Sequence, residues 1–262
     1  MAKPRHIELA DGTRIPILFE DRSVIAIDKP AGWLLVPYNW DKTDRNLHLA
    51  ISSSIRAGDF WARSRNLSYL RNIHRLDGDT SGVLLMARSP GALDSFSRLF
   101  KSRQIQKRYL AVVRGLPREQ QWVCRLKIAP DSRQVGRMKI DARGGKESET
   151  QFRVLKTAKD SALIEARPVT GRTHQIRLHL AAVGLPVLGD RVYGTGGTDV
   201  DATTLALRAV SLKYIDPFQK RPVLIEAPVE EFCQSFEFEL KTESGSDASS
   251  SGSGPYFARL DP

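Results

Sequence analysis

The alternation of apolar and polar positions along the chain predicts more strands than helices. Six short segments share the features of strands, which are β-branched or apolar residues bounded by turns, and they lie at 23–27, 82–87, 107–114, 150–156, 162–167 and 223–227. The segment at 82–87 is apolar at nearly every position, which is typical of a strand buried on both faces.

Three other segments repeat apolar residues every three or four positions, and this spacing predicts helices. Their apolar positions are Leu47, Ile51 and Ile55; Leu93, Phe96 and Phe100; and, in a helix over about 173–183, Ile176, Leu180 and Val183. Gly58 and Gly184 predict where the first and third helices end, and Ser89-Pro90 predicts where the second begins. Because helices and strands do not alternate regularly, the pattern favours an α+β fold with a mixed, largely antiparallel sheet.

Two further segments lack the pattern of a buried element. Residues 131–146 are polar and rich in Gly and Arg, which predicts an exposed loop or flap. Residues 241–262 include a run of Ser and Gly, which predicts a low-complexity, disordered tail.

Charge adds one indication about the binding partner. The chain has 40 Lys and Arg against 30 Asp and Glu, a net charge of +10, and such a surplus favours a polyanion such as nucleic acid. Charge alone supports a merely basic protein equally well. Cys124 and Cys233 are its two cysteines, so neither a disulfide framework nor a cysteine zinc site is expected. The sequence shows no signal peptide or membrane span, and we expect a cytoplasmic protein.

The densest polar cluster lies at 74–82, immediately before the buried strand. It reads HRLDGDTSG and includes Asp77, while Gly78 and Gly82 permit a tight backbone. Polar groups at the end of a buried strand suit an active-site loop. The alternative is an ordinary polar turn whose side chains bond their own backbone, and for an isolated Asp-Gly-Asp turn that alternative is the commoner one.

A second polar cluster, at 170–179, reads TGRTHQIRLH and begins the third predicted helix. Its donors can bind phosphate or hold a carboxylate through an arginine fork; alternatively they form a solvated helix start. His174 and His179 are five residues apart and do not share a helical face, so we expect no metal site. No phosphate-binding glycine loop or serine elbow is present, so any chemistry would use carboxylate, arginine and tyrosine side chains without a cofactor.

These clusters and three other segments resemble, in order, the motifs of the RluA-type pseudouridine synthases. The segments are DKPAG at 28–32, HRLDGDTSG at 74–82, KRYLA at 107–111, GKESET at 145–150 and TGRTHQIR at 170–177, which continues into GDRVYG at 189–194. One departure is Arg208, which stands where relatives often have histidine.

The resemblance implies a bisected mixed sheet with flanking helices and an RNA-binding cleft. It implies that Asp77 is the essential catalytic aspartate, that Tyr109 packs against the target base, and that Arg177 pairs with Asp77. Arg75 would fill the gap left by a flipped-out uridine. For RNA binding we expect five residues in all: Arg75, His74, Arg172, Lys107 and Thr80.

The layout expected from the resemblance is an N-terminal extension at 1–22 without an S4 module, a catalytic domain at 23–240 and the tail at 241–262. The expected substrate is ribosomal or transfer RNA, and the expected oligomeric state is a monomer. Asp77 could attack C1′, add to C6 or remove the C2′ proton, and sequence does not decide among these routes. A catalytically inactive RNA-binding protein and a carboxylate-dependent hydrolase are the competing hypotheses. The first should have lost Asp77 or Arg177, and the second lacks a clear second carboxylate motif.

Overall fold

The computed structural model describes residues 2–35, 45–194 and 204–238, and within these ranges the fold is α+β. The strands are β1 His6–Glu8, β2 Arg14–Glu20, β3 Val24–Lys29, β4 Arg71–Asn72, β5 Ser81–Ala87, β6 Gln106–Arg114, β7 Gln121–Cys124, β8 Ile128–Pro130, β9 Met138–Ile140, β10 Thr150–Thr157, β11 Ser161–Pro168, β12 Leu207–Ile215 and β13 Pro222–Glu226. The helices are α1 Leu47–Ala57, α2 Phe60–Arg63, α3 Pro90–Lys101, α4 Gln175–Ala182 and α5 Glu230–Gln234. The predicted tail at 241–262 lies outside the described residues.

Eleven of these strands form one mixed sheet, whose main path runs β1-β2-β3-β5-β12-β6-β11-β10-β7. Among the pairings between these strands only β5 with β12 is parallel, which confirms the predicted mixed, largely antiparallel sheet. β1 and β2 lie within the segment expected as an N-terminal extension, and β2 pairs with β3, so those residues continue the sheet. No helix among the described residues is long and apolar enough to cross a membrane.

The middle of the sheet is covered on both faces, which explains the apolar run at 82–87. Leu84 and Met86 of β5 pack into one cluster with α1, while Val83 and Leu85 pack into another with α3. A third cluster lies where β6 and β11 pack against α4 and α5. The sheet therefore has two halves that meet at β5, β12 and β6.

The ends of α1 and α3 agree with the sequence signals. The Asn46 side chain accepts a hydrogen bond from the Leu49 amide, Gly58 ends α1 with φ of 71°, and Ser89 caps α3. The third helix is shorter than predicted. It begins at Gln175 because His174 adopts a left-handed conformation, and Val183 lies beyond its end and is 45% exposed.

Seven of the thirteen described strands have no counterpart among the six segments predicted from the sequence, β9 and β12 among them. β9 lies inside the segment predicted as an exposed loop and pairs with β8, so part of that prediction was wrong. The β8–β9 hairpin is held because Ile128, Met138 and Ile140 pack with Leu178 and Tyr193. β12, a central strand, was also missed; its pairing with β6 shifts register between Ala209 and Ser211, a bulge that interrupts the two-residue period.

Gly82 lies where β5 and β12 approach each other closely. Its φ is +109°, and a Cβ there would lie 2.0 Å from the carbonyl oxygen of Ala209 in β12. Both the backbone conformation and the space therefore require glycine.

We expect Gly82→Ala to lower the free energy of unfolding by at least about 3 kcal/mol, because β12 must move away from β5. Gly91→Ala in α3 is the matched control: a Cβ there meets nothing within 4 Å, so we expect a change of about 1 kcal/mol or less, in the stabilising direction. Urea denaturation measures the free energy of unfolding of both variants. Equal stability of the two variants would contradict the close approach.

Candidate active site

A single cleft of about 610 Å³ brings the polar clusters of the sequence together. Its walls come from the loop before β5, from β6, from the end of α3 and from the segment that leads into α4. All eight residues singled out from the sequence line it: His74, Arg75, Asp77, Thr80, Lys107, Tyr109, Arg172 and Arg177. These eight residues therefore lie in one site. Their individual roles remain predictions.

Arg177 lies between two carboxylates at the base of this cleft. Its Nε and Nη2 each donate to Asp190 at 2.7 Å, while its Nη1 donates to Asp77 Oδ2 at 3.3 Å. Asp190 also accepts from the amides of Val192 and Tyr193, and its side chain is fully buried. Arg177 is therefore held by a bidentate pair with Asp190, and it presents its remaining nitrogen to Asp77.

The titration behaviour of this trio follows from the same contacts. Burial alone would lower the pKa of Arg177, but hydrogen bonds and charge from Asp190, with the charge of Asp77, raise it overall. Burial alone would raise the pKa of Asp190, but Arg177 and the two amides lower it overall. Both groups are charged at neutral pH. Asp77 keeps a quarter of its side chain exposed to the cleft, so its carboxylate can meet a ligand.

Lys29 fixes the loop that carries Asp77. Its side chain is completely buried at the end of β3, and its Nζ donates to the carbonyls of Pro30, Gly78 and Thr80 at 2.7–2.9 Å. Burial lowers the pKa of Lys29 from 10.5 to about 8, although the charges of Asp79 and Asp77 act in the opposite direction. The Lys29 ammonium, with its three carbonyl acceptors, thus holds the loop in place from its buried side.

Tyr109 lines the cleft from β6. Its ring contacts the two core clusters on either side of the sheet junction. Burial, and then the charge of Asp77, raise the pKa of its hydroxyl above the ordinary tyrosine value. At neutral pH the side chain is therefore a protonated phenol, with an aromatic surface inside the cleft.

Two of the expected RNA-binding residues are tied into the protein. His74 stacks on Phe100 with ring centroids 4.7 Å apart, and its Nε2 accepts the amide of Leu85. Burial, with the charge of Lys107, lowers the pKa of His74 to about 3, so it is neutral and its contacts favour support of the loop. Thr80 is 2% exposed, and its Oγ1 has no hydrogen-bond partner among the described residues.

The other expected RNA-binding residues are cations at the rim. Arg75 is exposed, the Nε of Arg172 donates to the Glu147 carbonyl, and the Nζ of Lys107 donates to the Thr170 carbonyl. Burial lowers the pKa of Lys107 to about 8. Sequence reasoning missed Lys101 and Arg103, which bring two more cations to the rim from the end of α3.

Sequence reasoning also missed the supporting roles of Lys29, Asp190, Tyr193 and His174. All four lie in segments that matched family motifs, so the signal was present, but the partners that reveal each role come from other parts of the chain. His174 Nε2 lies 4.0 Å from Asp77 Oδ2, and its Nδ1 lies 2.9 Å from the Tyr193 hydroxyl.

Comparison with known proteins finds similarity to proteins that are named as RNA-modifying enzymes. Residues 23–182 match a family model described as RNA pseudouridylate synthase. The chain is 32% identical over 222 residues to ribosomal large subunit pseudouridine synthase C of Vibrio cholerae, with 82% of this chain and 65% of that protein covered. It is 30% identical to the dual-specificity RNA pseudouridine synthase RluA of Escherichia coli, with 82% of this chain and 93% of that protein covered. The chain thus spans slightly less than two thirds of the first relative.

A solved structure also resembles this fold. The human RNA pseudouridylate synthase domain containing 1 superposes with a TM-score of 0.66 at 28% identity, covering 82% of this chain and 83% of that one.

The burial of Lys29 makes stability depend on pH in a defined direction. Lys29→Met should lower the free energy of unfolding by roughly 2–4 kcal/mol at pH 7, because three carbonyls lose their donor. Between pH 8 and 10.5 the unfolded wild-type chain holds a proton on Lys29 that the folded chain has released. Stability of the wild type relative to the variant should therefore rise with pH in this window, by up to roughly 3 kcal/mol.

Urea unfolding at several pH values measures this difference. Exposed Lys159→Met, in the turn between β10 and β11, is the control and should show no such trend. A constant difference between wild type and Lys29→Met from pH 7 to 10 would contradict the lowered pKa of Lys29.

Proposed function

The chain belongs to the RNA pseudouridylate synthase family, in its RluA-type branch, and from that membership we propose that it isomerises uridines in ribosomal or transfer RNA to pseudouridine. The observation that carries the proposal is the Asp77 carboxylate, which faces the cleft while Arg177 holds it at 3.3 Å. The proposed catalytic domain spans 23–240. The relatives are named for action on RNA, and that substrate class suits a cleft with cations at its rim.

Asp77 is proposed as the group that reacts with the target nucleotide. If it attacks C1′, a carboxylate–C1′ bond forms as the C1′–N1 bond breaks and uracil leaves with the electron pair. Uracil then turns, C5 bonds to C1′, and Asp77 is released. The C5 proton is lost and N1 gains one, so the reaction is an isomerisation without redox change. Addition to C6 and removal of the C2′ proton are the alternative routes, and each also begins from an ionised Asp77.

Arg177 is proposed to orient Asp77 in the cleft. Its bidentate pair with Asp190 prevents the guanidinium from turning away when Asp77 forms a bond to the sugar. This arrangement also argues against the hypothesis of an inactive RNA-binding protein, because a binding cleft alone has no need of a carboxylate held toward it by a buried charged pair.

Tyr109 is proposed mainly as the surface on which uracil packs. Its raised pKa disfavours loss of the phenolic proton while Asp77 is charged. Bond formation at Asp77 removes the charge that opposes ionisation of Tyr109, and the phenol can then pass its own proton to uracil N1 and take up the C5 proton in exchange.

The rim of the cleft is proposed to bind a stem-loop with the target uridine flipped out. Flipping costs roughly a few kcal/mol, and Arg75 can offset this by occupying the vacated place in the stack. Lys107 and Arg172, with Lys101 and Arg103, can meet phosphates on either side. We propose further that the protein acts as a monomer in the cytoplasm.

We expect Asp77→Asn to reduce pseudouridine formation by roughly a thousandfold or more, since an amide is neither a nucleophile nor a base. Unmodified transcripts of ribosomal and transfer RNA are incubated with enzyme, and pseudouridine is mapped by carbodiimide labelling. Asp79→Asn, at the exposed neighbouring carboxylate, is the control and should stay active. Equal product from wild type and Asp77→Asn, above a blank without enzyme, would remove Asp77 from its role.

We expect Lys101→Gln and Arg103→Gln each to weaken RNA binding by roughly threefold to tenfold and to reduce the slope of log affinity against log salt by about one. Arg98→Gln is the matched control, because Arg98 lies on the exposed side of α3 and pairs with Asp94 instead. Filter binding at several salt concentrations measures the slopes. If all three variants behaved alike, the end of α3 would not be part of the RNA-binding rim.

A further inference from the structure

His174 occupies a strained position beside Asp77 that helix formation does not explain. It has φ of 55° and ψ of 19°, a conformation that costs a non-glycine residue on the order of 1 kcal/mol. It directly precedes α4, yet its side chain caps no backbone amide of that helix. The ring instead lines the cleft, with 15% of the side chain exposed. The left-handed backbone conformation therefore places the His174 imidazole in the cleft beside Asp77.

Tyr193 determines which ring nitrogen carries the proton. Its hydroxyl oxygen accepts the Met138 amide at 2.9 Å, and it lies 2.9 Å from His174 Nδ1. If Nδ1 donated to this oxygen, the phenolic proton would have no acceptor among the contacts of the described residues. If the hydroxyl donates to Nδ1, both groups are satisfied. The proton of a neutral ring then sits on Nε2, the nitrogen that faces Asp77.

Burial keeps the ring in this neutral form. It lowers the pKa of His174, with the charge of Asp77 opposing the effect and that of Arg177 adding to it. The distance of 4.0 Å from Nε2 to Asp77 Oδ2 is too long for a hydrogen bond, so the Nε2 proton has no acceptor in Asp77 itself. A donor that faces the reacting carboxylate across this gap can reach an oxygen of a nucleotide bound there.

We propose that His174, with its tautomer set by Tyr193, donates its Nε2 hydrogen to an oxygen of the target nucleotide next to the atom that Asp77 attacks. This inference rests on the proposed function. It adds His174 as a catalytic residue and Tyr193 as a positioning residue. The Tyr193 hydroxyl also accepts a hydrogen bond from the Met138 amide in the β8–β9 hairpin. The hairpin and His174 therefore contact the same hydroxyl group.

Two substitutions of His174 separate donation from backbone fit. His174→Asn suits the left-handed conformation but is too short to place a donor at the Nε2 position. His174→Gln carries an amide N–H to about that position. Tyr193→Phe removes the hydroxyl that sets the tautomer. His6→Asn in β1, away from the cleft, is the control.

Steady-state kinetics on a stem-loop transcript with one target uridine, with melting temperatures of each variant, test the proposal. We expect His174→Asn to lower kcat roughly tenfold to a hundredfold with KM changed by about twofold or less, because the lost contact acts mainly in the transition state. His174→Gln should recover most of that loss, Tyr193→Phe should lower kcat by a smaller factor, and His6→Asn should match the wild type. Melting temperatures of His174→Asn and His174→Gln should agree within about two degrees.

Three results would overturn the proposal: full activity of His174→Asn, equal loss in the Asn and Gln variants, or a loss of activity that follows the melting temperature. A wild-type protein that makes no pseudouridine in any transcript would instead refute the proposed function, which is a different outcome.

Discussion

The site depends on one shared guanidinium. Arg177 is buried against Asp190, and this pair has enough charge and enough hydrogen bonds to offset the cost of leaving water. Because two of its three nitrogens are committed to Asp190, the third can point only toward Asp77. The geometry at the Asp77 carboxylate is thus set by a charged pair on the other half of the sheet. If Asp190 were absent, Arg177 would keep only its 3.3 Å contact with Asp77, and that interaction would have no fixed direction.

Bringing Asp77 to Arg177 requires the two halves of the sheet to meet closely. Gly82 permits this at the parallel pairing of β5 with β12, where a side chain would collide with the Ala209 backbone. Arg208 supports the same junction, with a 2.7 Å ion pair to Asp28 and a hydrogen bond to the Ser81 hydroxyl. The departure from the histidine common at this position therefore has a structural explanation. The Arg208 side chain ties β12 to β3 and β5 beside the loop that carries Asp77.

The cleft combines a fixed loop with adaptable side chains at its rim, and this division suits the proposed action on folded RNA. The loop of Asp77 is held below by Lys29 and across the cleft by Arg177. The rim is different, because its long cationic side chains can follow a phosphate backbone of varied path. Arg103 belongs to that rim and has φ of 60° just past the end of α3, where glycine is usual, so the chain accepts some strain to place a cation there.

The sequence by itself determined the family, the α+β class, the strand buried on both faces and the ends of α1 and α3. These depend on local patterns such as periodicity and capping, or on motifs that survive in order along the chain. Only the tertiary structure decided that His74 is neutral, that β12 is a central strand, and that Asp190 holds Arg177 while Lys29 holds the loop of Asp77. Each of these follows from burial and from partners up to about a hundred residues away. The charge state of a side chain and its hydrogen-bond partners depend on its surroundings, and those surroundings exist only once the chain has folded.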